Sequence, residues 1–235
     1  MTAFARTARF YDLLYSFKDY AGEAARIAEL IRQRNPEAES LLDVACGTGK
    51  HLEHLRETFD VAGVDIDEAL LAAARERLPG VELSQGDMTS LSLGRRFDAV
   101  TCLFSAIGYA ETRSRMRAAI AAMAAHLEPG GVLVVEPWLA PDDFEDGHVG
   151  TLVVDEADVK IVRMNAAVRD GTVSILDMHY LIGAAGEVVH EREEHRLGLF
   201  TVEEHLEAMR DAGLGAEHDP EGLIGRGLFL GIKEA

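Results

Sequence analysis

The chain has 235 residues and 48% of them are hydrophobic, so it can bury a substantial core in one large domain or in a domain with an insertion. Its formal net charge of −18 at pH 7 argues against partners such as nucleic acid or an anionic membrane surface, which carry charge of the same sign. No apolar run approaches the ~20 residues of a membrane span, and the first residues lack the apolar stretch of a secretory signal. We therefore expect a cytoplasmic protein in which Cys46 and Cys102 stay reduced.

Strands and helices alternate through residue 136. Apolar side chains recur at helical spacing near the start, where Tyr20, Ala24 and Ile27 share one face. In chain order, the predicted elements are a helix over 18–34, a strand at 41–45, a helix carrying Leu52, Leu55 and Phe59, a strand at 61–65, a helix over 68–77, strands at 81–87 and 97–104, a helix that stops at "EPGG", and a strand at 131–136. This alternation predicts a parallel sheet with helices on both faces.

The apolar pattern changes to a period of two after residue 150. Val162 and Met164 alternate with Arg163 and Asn165, and the same alternation continues over 176–182. The "RDG" between these runs is typical of a hairpin turn, and 187–199 is consistent with a further strand. We therefore interpret 151–199 as an antiparallel β insertion that follows the fifth strand and forms a substrate-side subdomain.

Residues 1–150 and 200–235 are assigned to the main domain. "TVEE" at 201–204 has the pattern of a capping box and predicts the start of a helix, and "GLFLGI" at 227–232 predicts the last strand. The strands of the insertion are able to pair with those of a second copy, so a homodimer is one predicted assembly.

A glycine-rich corner, "LLDVACGTGKHL" at 41–52, follows the first strand. A nucleoside-triphosphate loop requires a glycine where Val44 stands, and a serine or threonine where His51 stands. A dinucleotide fingerprint requires a third glycine where Leu52 stands. The remaining candidate is the D-x-x-x-G-x-G corner, which Asp43, Gly47 and Gly49 match.

That corner resembles the class I S-adenosylmethionine-dependent methyltransferases, whose ligand carries an ammonium, a carboxylate and a sulfonium rather than a diphosphate. Backbone N–H groups at a helix start can face the carboxylate, and two glycines let the backbone approach the ligand closely. Asp65 ends the second strand, where an acid can accept hydrogen bonds from both ribose hydroxyls. The resemblance implies that Asp87, in "GDM" after the third strand, faces the adenine amino group.

A more specific resemblance covers nearly the whole chain. "YDLLYSFKDYAGEA", "SLLDVACGTG", "HLEPGGVLVVEPW" and "GRGLF" are similar to segments of the N,N-dimethyltransferases that act on nucleotide-linked (TDP) deoxyaminosugars in macrolide biosynthesis. The resemblance implies a Rossmann-like, mostly parallel seven-stranded sheet and a small-molecule acceptor. It implies S-adenosylmethionine contacts at Tyr11, Tyr20, Asp43, Ala45, Gly47, Gly49, Asp65, Ile66, Asp87, Met88 and Phe104. It implies acceptor contacts at Tyr15, Ser105, Tyr109, Trp138, His179 and Arg226.

The departures from that family pattern concern the acceptor. "SFKDY" is shorter than the family's "GKGKDY", Leu139 and Ala140 replace two aromatic residues after "EPW", and Ile224 stands where the family has a serine. A methyltransferase for another small molecule or for a peptide amine is therefore a second hypothesis. A cofactor-binding protein without catalytic activity is a third.

Methyl transfer to an amine is an in-line displacement that depends mainly on positioning, with the attacking atom about 3 Å from the methyl carbon. We expect Tyr109 to orient the amine or to pass its proton to water. Neither the pair His51 and His54 nor "HEREEH" at 190–195 has the spacing of a zinc or calcium motif, so we expect solvated side chains there and no metal.

Overall fold

The structure is a computed structural model that describes residues 8–234. Its α-helices are α1 (Tyr11–Leu14), α2 (Tyr20–Arg34), α3 (Lys50–Leu55), α4 (Glu68–Arg77), α5 (Arg113–Ala125) and α6 (Val202–Asp211). Its strands are β1 (Ser40–Val44), β2 (Asp60–Asp65), β3 (Glu82–Gln85), β4 (Phe97–Cys102), β5 (Leu127–Val135), β6 (Val149–Asp155), β7 (Val159–Asp170), β8 (Val173–Ala184), β9 (Glu187–Gly198), β10 (Leu214–Asp219) and β11 (Leu228–Lys233). Short 3₁₀ turns occur at Ala8–Phe10 and Ala106–Ala110.

Seven strands form one twisted sheet in the order β3-β2-β1-β4-β5-β11-β10. Strands β1 to β5 are parallel, whereas β11 runs antiparallel to both β5 and β10. The predicted alternation of strands and helices is confirmed. The sequence pattern missed β10, an edge strand in which only Leu214 is buried, because such a strand lacks an apolar alternation.

Helices cover both faces of this sheet, and successive strand residues point into opposite layers. Leu41 packs in the layer that contains Ile27 of α2, whereas Leu42 packs in the layer that contains Ile120 of α5. Helix α6 begins with the predicted capping box, since the Thr201 hydroxyl accepts from the Glu204 amide and the Glu204 carboxylate accepts from the Thr201 amide.

Four further strands form a second, fully antiparallel sheet in the order β6-β7-β8-β9. The predicted antiparallel insertion after the fifth strand is confirmed, and β6 and a turn at Gly171 with φ of 62° complete it. Alternate residues such as Met178 and Tyr180 are buried on the inner face of this sheet, while Met164 and Leu181 are exposed on its outer face. The inner face packs against α1 through Leu14.

The two sheets meet at the carboxyl ends of the parallel strands. Connections from β1 and β4 leave in opposite directions along the sheet, which is the arrangement that opens a crevice for ligands in α/β folds. The insertion therefore covers the crevice that the main sheet creates.

Candidate functional site

A cavity of about 1700 Å³ lies between the two sheets. One side, which we call the corner wall, is formed by Ala45, Gly47, Asp65, Ile66 and Met88. The opposite side, which we call the sheet wall, is formed by Arg163, Asn165, Met178, Glu193 and His195 of the insertion. The structure thus brings a main-chain corner and a set of side chains to face one another.

The glycine corner is built from left-handed backbone. Ala45, Gly47 and Gly49 have φ of 63°, 56° and 77°. A Cβ added at Gly47 would meet no atom within 4 Å, because Gly47 faces the cavity, whereas a Cβ at Gly49 would lie 2.7 Å from Leu78 Cδ1. Gly47 therefore keeps space for a ligand, and Gly49, which lies outside the cavity lining, lets the corner pack on α4.

Asp65 holds the corner in place from the end of β2. One carboxylate oxygen accepts from the Gly47 amide at 2.8 Å, and the other accepts from the Asp67 amide at 2.8 Å. A carboxylate can accept about four hydrogen bonds, so both oxygens keep capacity for the hydroxyls of a ligand. The side chain is only 6% exposed, and burial raises its pKa.

Asp43 lies beneath the corner and does not line the cavity. Its carboxylate accepts from the Thr101 hydroxyl of β4 at 2.7 Å. Complete burial raises the pKa of Asp43 to about 7. Its contact links β1 to β4 directly below the ligand crevice.

Asp87 also lies outside the cavity lining. Its carboxylate accepts from the backbone amide and the hydroxyl of Thr89, both at 2.8 Å, and the amide contact lowers the pKa of Asp87. The neighbouring Met88 does line the cavity. The structure therefore uses Asp87 to close a turn that places Met88.

Aromatic side chains from the N-terminal helix cover the corner. The ring centroids of Tyr11 and Tyr15 are 4.7 Å apart, and Tyr15 meets the edge of Phe104 at 5.0 Å. Phe104 and the adjacent Ser105 both have positive φ, of 50° and 63°, and the Phe104 amide donates to the buried Glu136 carboxylate at 2.6 Å. All four residues Tyr11, Tyr15, Phe104 and Ser105 line the cavity.

Helix α1 is fastened to the corner by Asp12. Its carboxylate accepts from the Thr48 hydroxyl at 2.7 Å and pairs with the guanidinium of Arg77. This contact joins α1, the glycine corner and α4.

A buried polar cluster beside the corner was not predicted. Lys18 Nζ donates to Glu23 at 2.7 Å, and the second Glu23 oxygen lies 2.8 Å from His51 Nε2. Tyr20 packs edge-on against His51 at 4.9 Å and lies outside the cavity lining, while Lys18 and Glu23 line the cavity. The expectation of a solvated His51 is wrong, since its side chain is 8% exposed. The sequence did contain a signal for this cluster. Glu23 falls on the same helical face of α2 as Tyr20 and Ile27, which is the face that is buried.

Arg226 lies beside Ser105 and Trp138. Its guanidinium donates to Ser105 Oγ at 3.0 Å and sits 4.9 Å from the Trp138 ring centroid. Trp138 in turn donates to Ser174 Oγ at 2.9 Å, so the insertion orients the indole. Burial lowers the pKa of Arg226, and no carboxylate among residues 8–234 lies within 4.0 Å of its guanidinium.

Arg163 is a second cation of the cavity that was not predicted. Its Nη1 donates to Tyr15 Oη at 3.3 Å, and its buried Nε has no hydrogen-bond partner in the described part of the chain. The alternation of β7 contained the signal, because Arg163 shares the inner strand face with the buried Ile161 and Ala167.

His179 does not line the cavity, which differs from the implied acceptor contact. It lies on the outer face of the insertion, where its ring stacks on His190 at 5.2 Å and lies 3.4 Å from Asp177. The period of two on β8 explains this position, because Met178 and Tyr180 take the inner face.

Tyr109 joins the two walls of the cavity. Its hydroxyl lies 2.7 Å from Nδ1 of His195, and Nε2 of His195 lies 3.7 Å from Glu193. The expectation of solvated side chains in "HEREEH" is wrong for Glu193 and His195, which are 6% and 1% exposed. The described residues contain no group of three or more His, Cys, Asp or Glu side chains able to hold a metal ion.

Comparison with known proteins identifies the family. The model of the methyltransferase domain family matches residues 41–131. The chain is 47% identical over 226 residues to a Streptomyces venezuelae protein named dTDP-3-amino-3,4,6-trideoxy-alpha-D-glucopyranose N,N-dimethyltransferase, covering 94% of this chain and 95% of that one. The chain belongs to the family of the dTDP-aminosugar N,N-dimethyltransferases.

Solved structures agree with this assignment. The crystal structure of Streptomyces venezuelae DesVI matches this methyltransferase with a TM-score of 0.92 and 46% identity, over 96% of this chain and 98% of that one. CalS10, described as an amino pentose methyltransferase from Micromonospora echinaspora with bound S-adenosylmethionine, matches with a TM-score of 0.88 and 44% identity, over 95% and 96% of the two chains.

The methyltransferase uses S-adenosylmethionine as its methyl donor. The corner wall suits that group, because Gly47 leaves open space and Asp65 presents acceptor capacity toward it. No helix within residues 8–234 is long and apolar enough to span a bilayer.

Proposed function

We propose that this methyltransferase dimethylates the amino group of a dTDP-linked deoxyaminosugar. The observation that carries the proposal is the pair of half-buried arginines, Arg163 and Arg226, that line the cavity of a protein of net charge −18. Neither guanidinium has a carboxylate within 4.0 Å among residues 8–234. A diphosphate supplies the missing negative charge, and a guanidinium can hold two of its oxygens at once.

The cavity supports a division of labour between its walls. S-adenosylmethionine supplies the methyl group, and the lone pair of the sugar nitrogen forms the new N–C bond as the S–C bond breaks. Asp65 and Gly47 hold the donor, with Ala45, Ile66, Met88, Tyr11 and Phe104 around it. Asp43, Gly49, Asp87 and Tyr20 act from outside the lining by fixing the corner and its cover. Tyr15, Ser105, Tyr109, Trp138 and Arg226 face the acceptor.

Positioning accounts for most of the rate in this scheme. A neutral amine is a sufficient nucleophile, and burial in the cavity favours the neutral form by penalising the ammonium. The aromatic cover and the insertion exclude water from the reacting atoms. The leaving sulfur is neutral, so the walls need to stabilise little developing charge.

Product mass and kinetics test the proposal together. Incubation with a dTDP-aminosugar and S-adenosylmethionine should add two methyl groups. Arg226→Ala should raise the acceptor KM by about tenfold or more, equivalent to roughly 1.4 kcal/mol, and leave cofactor affinity unchanged. Arg226→Lys should recover part of the loss, because an ammonium lacks the planar fork. Arg95→Ala, an exposed arginine that pairs with Asp60 and Glu82, is the matched control.

A different acceptor is the second candidate, because two departures from the family pattern lie on the cavity itself. Leu139 and Ile224 both line it. Wild-type turnover of a small carboxylate or a peptide amine, with none on any dTDP-aminosugar tested, would replace the sugar as the acceptor. Unchanged KM in both Arg226 variants would remove Arg226 from the diphosphate site.

We further propose that two copies associate through the outer face of the insertion. That face exposes Val149, Val153, Val162, Met164 and Leu181 by 37–63%, which is an unusual concentration of apolar surface. On the same face the guanidinium of Arg192 is paired with the Asp177 carboxylate, so the two copies would bring together no unpaired charge from this pair. Light scattering should show a dimer for wild type and for Val202→Glu, and a monomer for Leu181→Glu. A monomeric wild type would refute this assembly.

A nucleotide-linked acceptor and two free, buried cysteines also favour the cytoplasm as the location. Cell fractionation with an antibody to the chain would test this.

A further inference from the structure

Three polar side chains, of which Glu193 and His195 are buried and Tyr109 is half-buried, lie in a row from the cavity into the insertion. Tyr109 follows β4 in a 3₁₀ turn, and its hydroxyl lies 2.7 Å from His195 Nδ1. His195 Nε2 lies 3.7 Å from a Glu193 oxygen. His195 and Glu193 occupy alternate positions on the inner face of β9, and all three residues line the cavity.

The Glu193 carboxylate determines which atom donates in the hydrogen bond between Tyr109 and His195. The Glu193 carboxylate lies 3.7 Å from Nε2, beyond hydrogen-bond distance, and its negative charge favours the tautomer that carries hydrogen there. Nδ1 is then the acceptor, and the Tyr109 hydroxyl donates to it. The phenolic oxygen keeps a lone pair for a donor in the cavity.

The groups around Tyr109 keep its hydroxyl protonated. Burial raises the pKa of Tyr109, and the neighbouring phenols of Tyr15 and Tyr180 and the carboxylates of Glu193 and Asp65 raise it further. Tyr15 comes from the N-terminal segment, Tyr180 from β8 and Asp65 from the corner wall. Arg163 of β7 faces Tyr15 and supplies the nearby positive charge.

Double methylation requires that the nitrogen lose a proton between the two transfers. The first transfer leaves a secondary ammonium, which has no lone pair for the second attack. Its proton must leave before the second methyl group can arrive. Arg163 and Arg226 are cations and cannot take it at neutral pH.

We infer that Tyr109, His195 and Glu193 form a proton relay that deprotonates the singly methylated nitrogen between the two methyl transfers. This inference rests on the proposed function. The ammonium N–H bond breaks as a bond forms to Tyr109 Oη, and the Tyr109 O–H bond breaks as a bond forms to His195 Nδ1. The products are a neutral secondary amine, a neutral tyrosine and an imidazolium beside the Glu193 carboxylate. Tyr109 is the catalytic residue, and His195 and Glu193 are positioning residues that act through it.

Separate kinetics for the two transfers test the relay. His195→Gln should lower kcat for a monomethylated acceptor by roughly tenfold or more near pH 7 and by much less above about pH 9, where solvent removes the proton. The acceptor KM should stay nearly constant, and the monomethylated product should accumulate. Tyr109→Phe should behave alike, and Glu193→Gln should show the same pH dependence with a smaller loss.

His190→Gln is the matched control, because His190 lies on β9 but on its exposed outer face. ¹⁵N NMR of labelled histidine measures the tautomer of His195 independently of activity. It should show hydrogen on Nε2. An equal loss of rate at every pH with an unchanged ratio of products, or hydrogen on Nδ1 in wild type, would overturn the relay. Failure of wild type to methylate any aminosugar would refute the proposed function, and the relay with it.

Discussion

The two walls of the cavity are made by different means. The corner wall depends on main-chain geometry, with positive φ at Ala45 and Gly47 and a carboxylate that holds backbone amides. The sheet wall depends on side chains that alternate along antiparallel strands, such as Arg163 on β7 and His195 on β9. A wall built from main chain with positive φ restricts which residues can occupy its positions. A wall built from alternating side chains can be substituted one position at a time. The difference suits the proposed roles of the two walls, with a fixed methyl donor on one side and a variable acceptor on the other.

The largest expected effect is on cofactor binding, and it comes from a substitution in the corner wall. Asp65→Ala should lower S-adenosylmethionine affinity by about a hundredfold, because two lost hydrogen bonds to a carboxylate are worth roughly 1.5 kcal/mol each or more. The variant should stay folded. Isothermal titration calorimetry of wild type and variant measures the loss, and Asp87→Ala, outside the lining, should lose far less. Equal affinities for wild type and Asp65→Ala would remove Asp65 from the donor site.

A second prediction compares the free energies of unfolding of two glycine variants, one beside the main sheet and one in the insertion. Gly49→Ala forces a side chain into positive φ and places its Cβ 2.7 Å from Leu78, so it should cost about 2 kcal/mol. Gly171→Ala in the hairpin of the insertion has positive φ but no atom within 4 Å of the new Cβ, and should cost about half as much. Urea unfolding monitored by circular dichroism ranks them. The reverse order would contradict the packing role of Gly49.

A third prediction concerns pH and the core of the main sheet. His205 of α6 stacks on Phe229 at 4.4 Å, and burial lowers the pKa of His205 to about 4. The unfolded chain binds this proton below about pH 6.5 and the folded chain does not, so stability falls as the pH falls from 6.5 toward 4. The contribution should be about 1 kcal/mol near pH 5.5.

Thermal unfolding at a series of pH values measures this contribution. His205→Phe keeps the ring stack and removes the titration, so its melting temperature should decline less than that of wild type on acidification. Parallel declines for the two proteins would assign the acid sensitivity to other groups.

The last prediction is that metal ions have no effect on the methylation rate. Positioning by the two walls requires no metal ion, so added Mg²⁺ or Zn²⁺, or treatment with EDTA, should leave the methylation rate unchanged. Loss of activity in EDTA that a metal restores would contradict the mechanism.

The fold and the corner wall were largely predictable from sequence, and the sheet wall was not. Periodicity identified the alternating elements, and Gly47 and Asp65 stood at strand ends that topology brings together. Arg163, Glu193 and His195 sit in alternating strands whose inner face can be assigned only once the partner of that face is known. His179 illustrates the difficulty, since a shift of one position along β8 separates the cavity from solvent.

The period of two in the insertion has a consequence for how this enzyme can change. On β7, Arg163 faces the cavity while its neighbours Val162 and Met164 face outward. The proposed acceptor contact and the proposed self-association surface therefore share this twelve-residue strand without sharing a side chain. A lineage, or a protein engineer, can revise one trait at odd positions and leave the other, at even positions, intact.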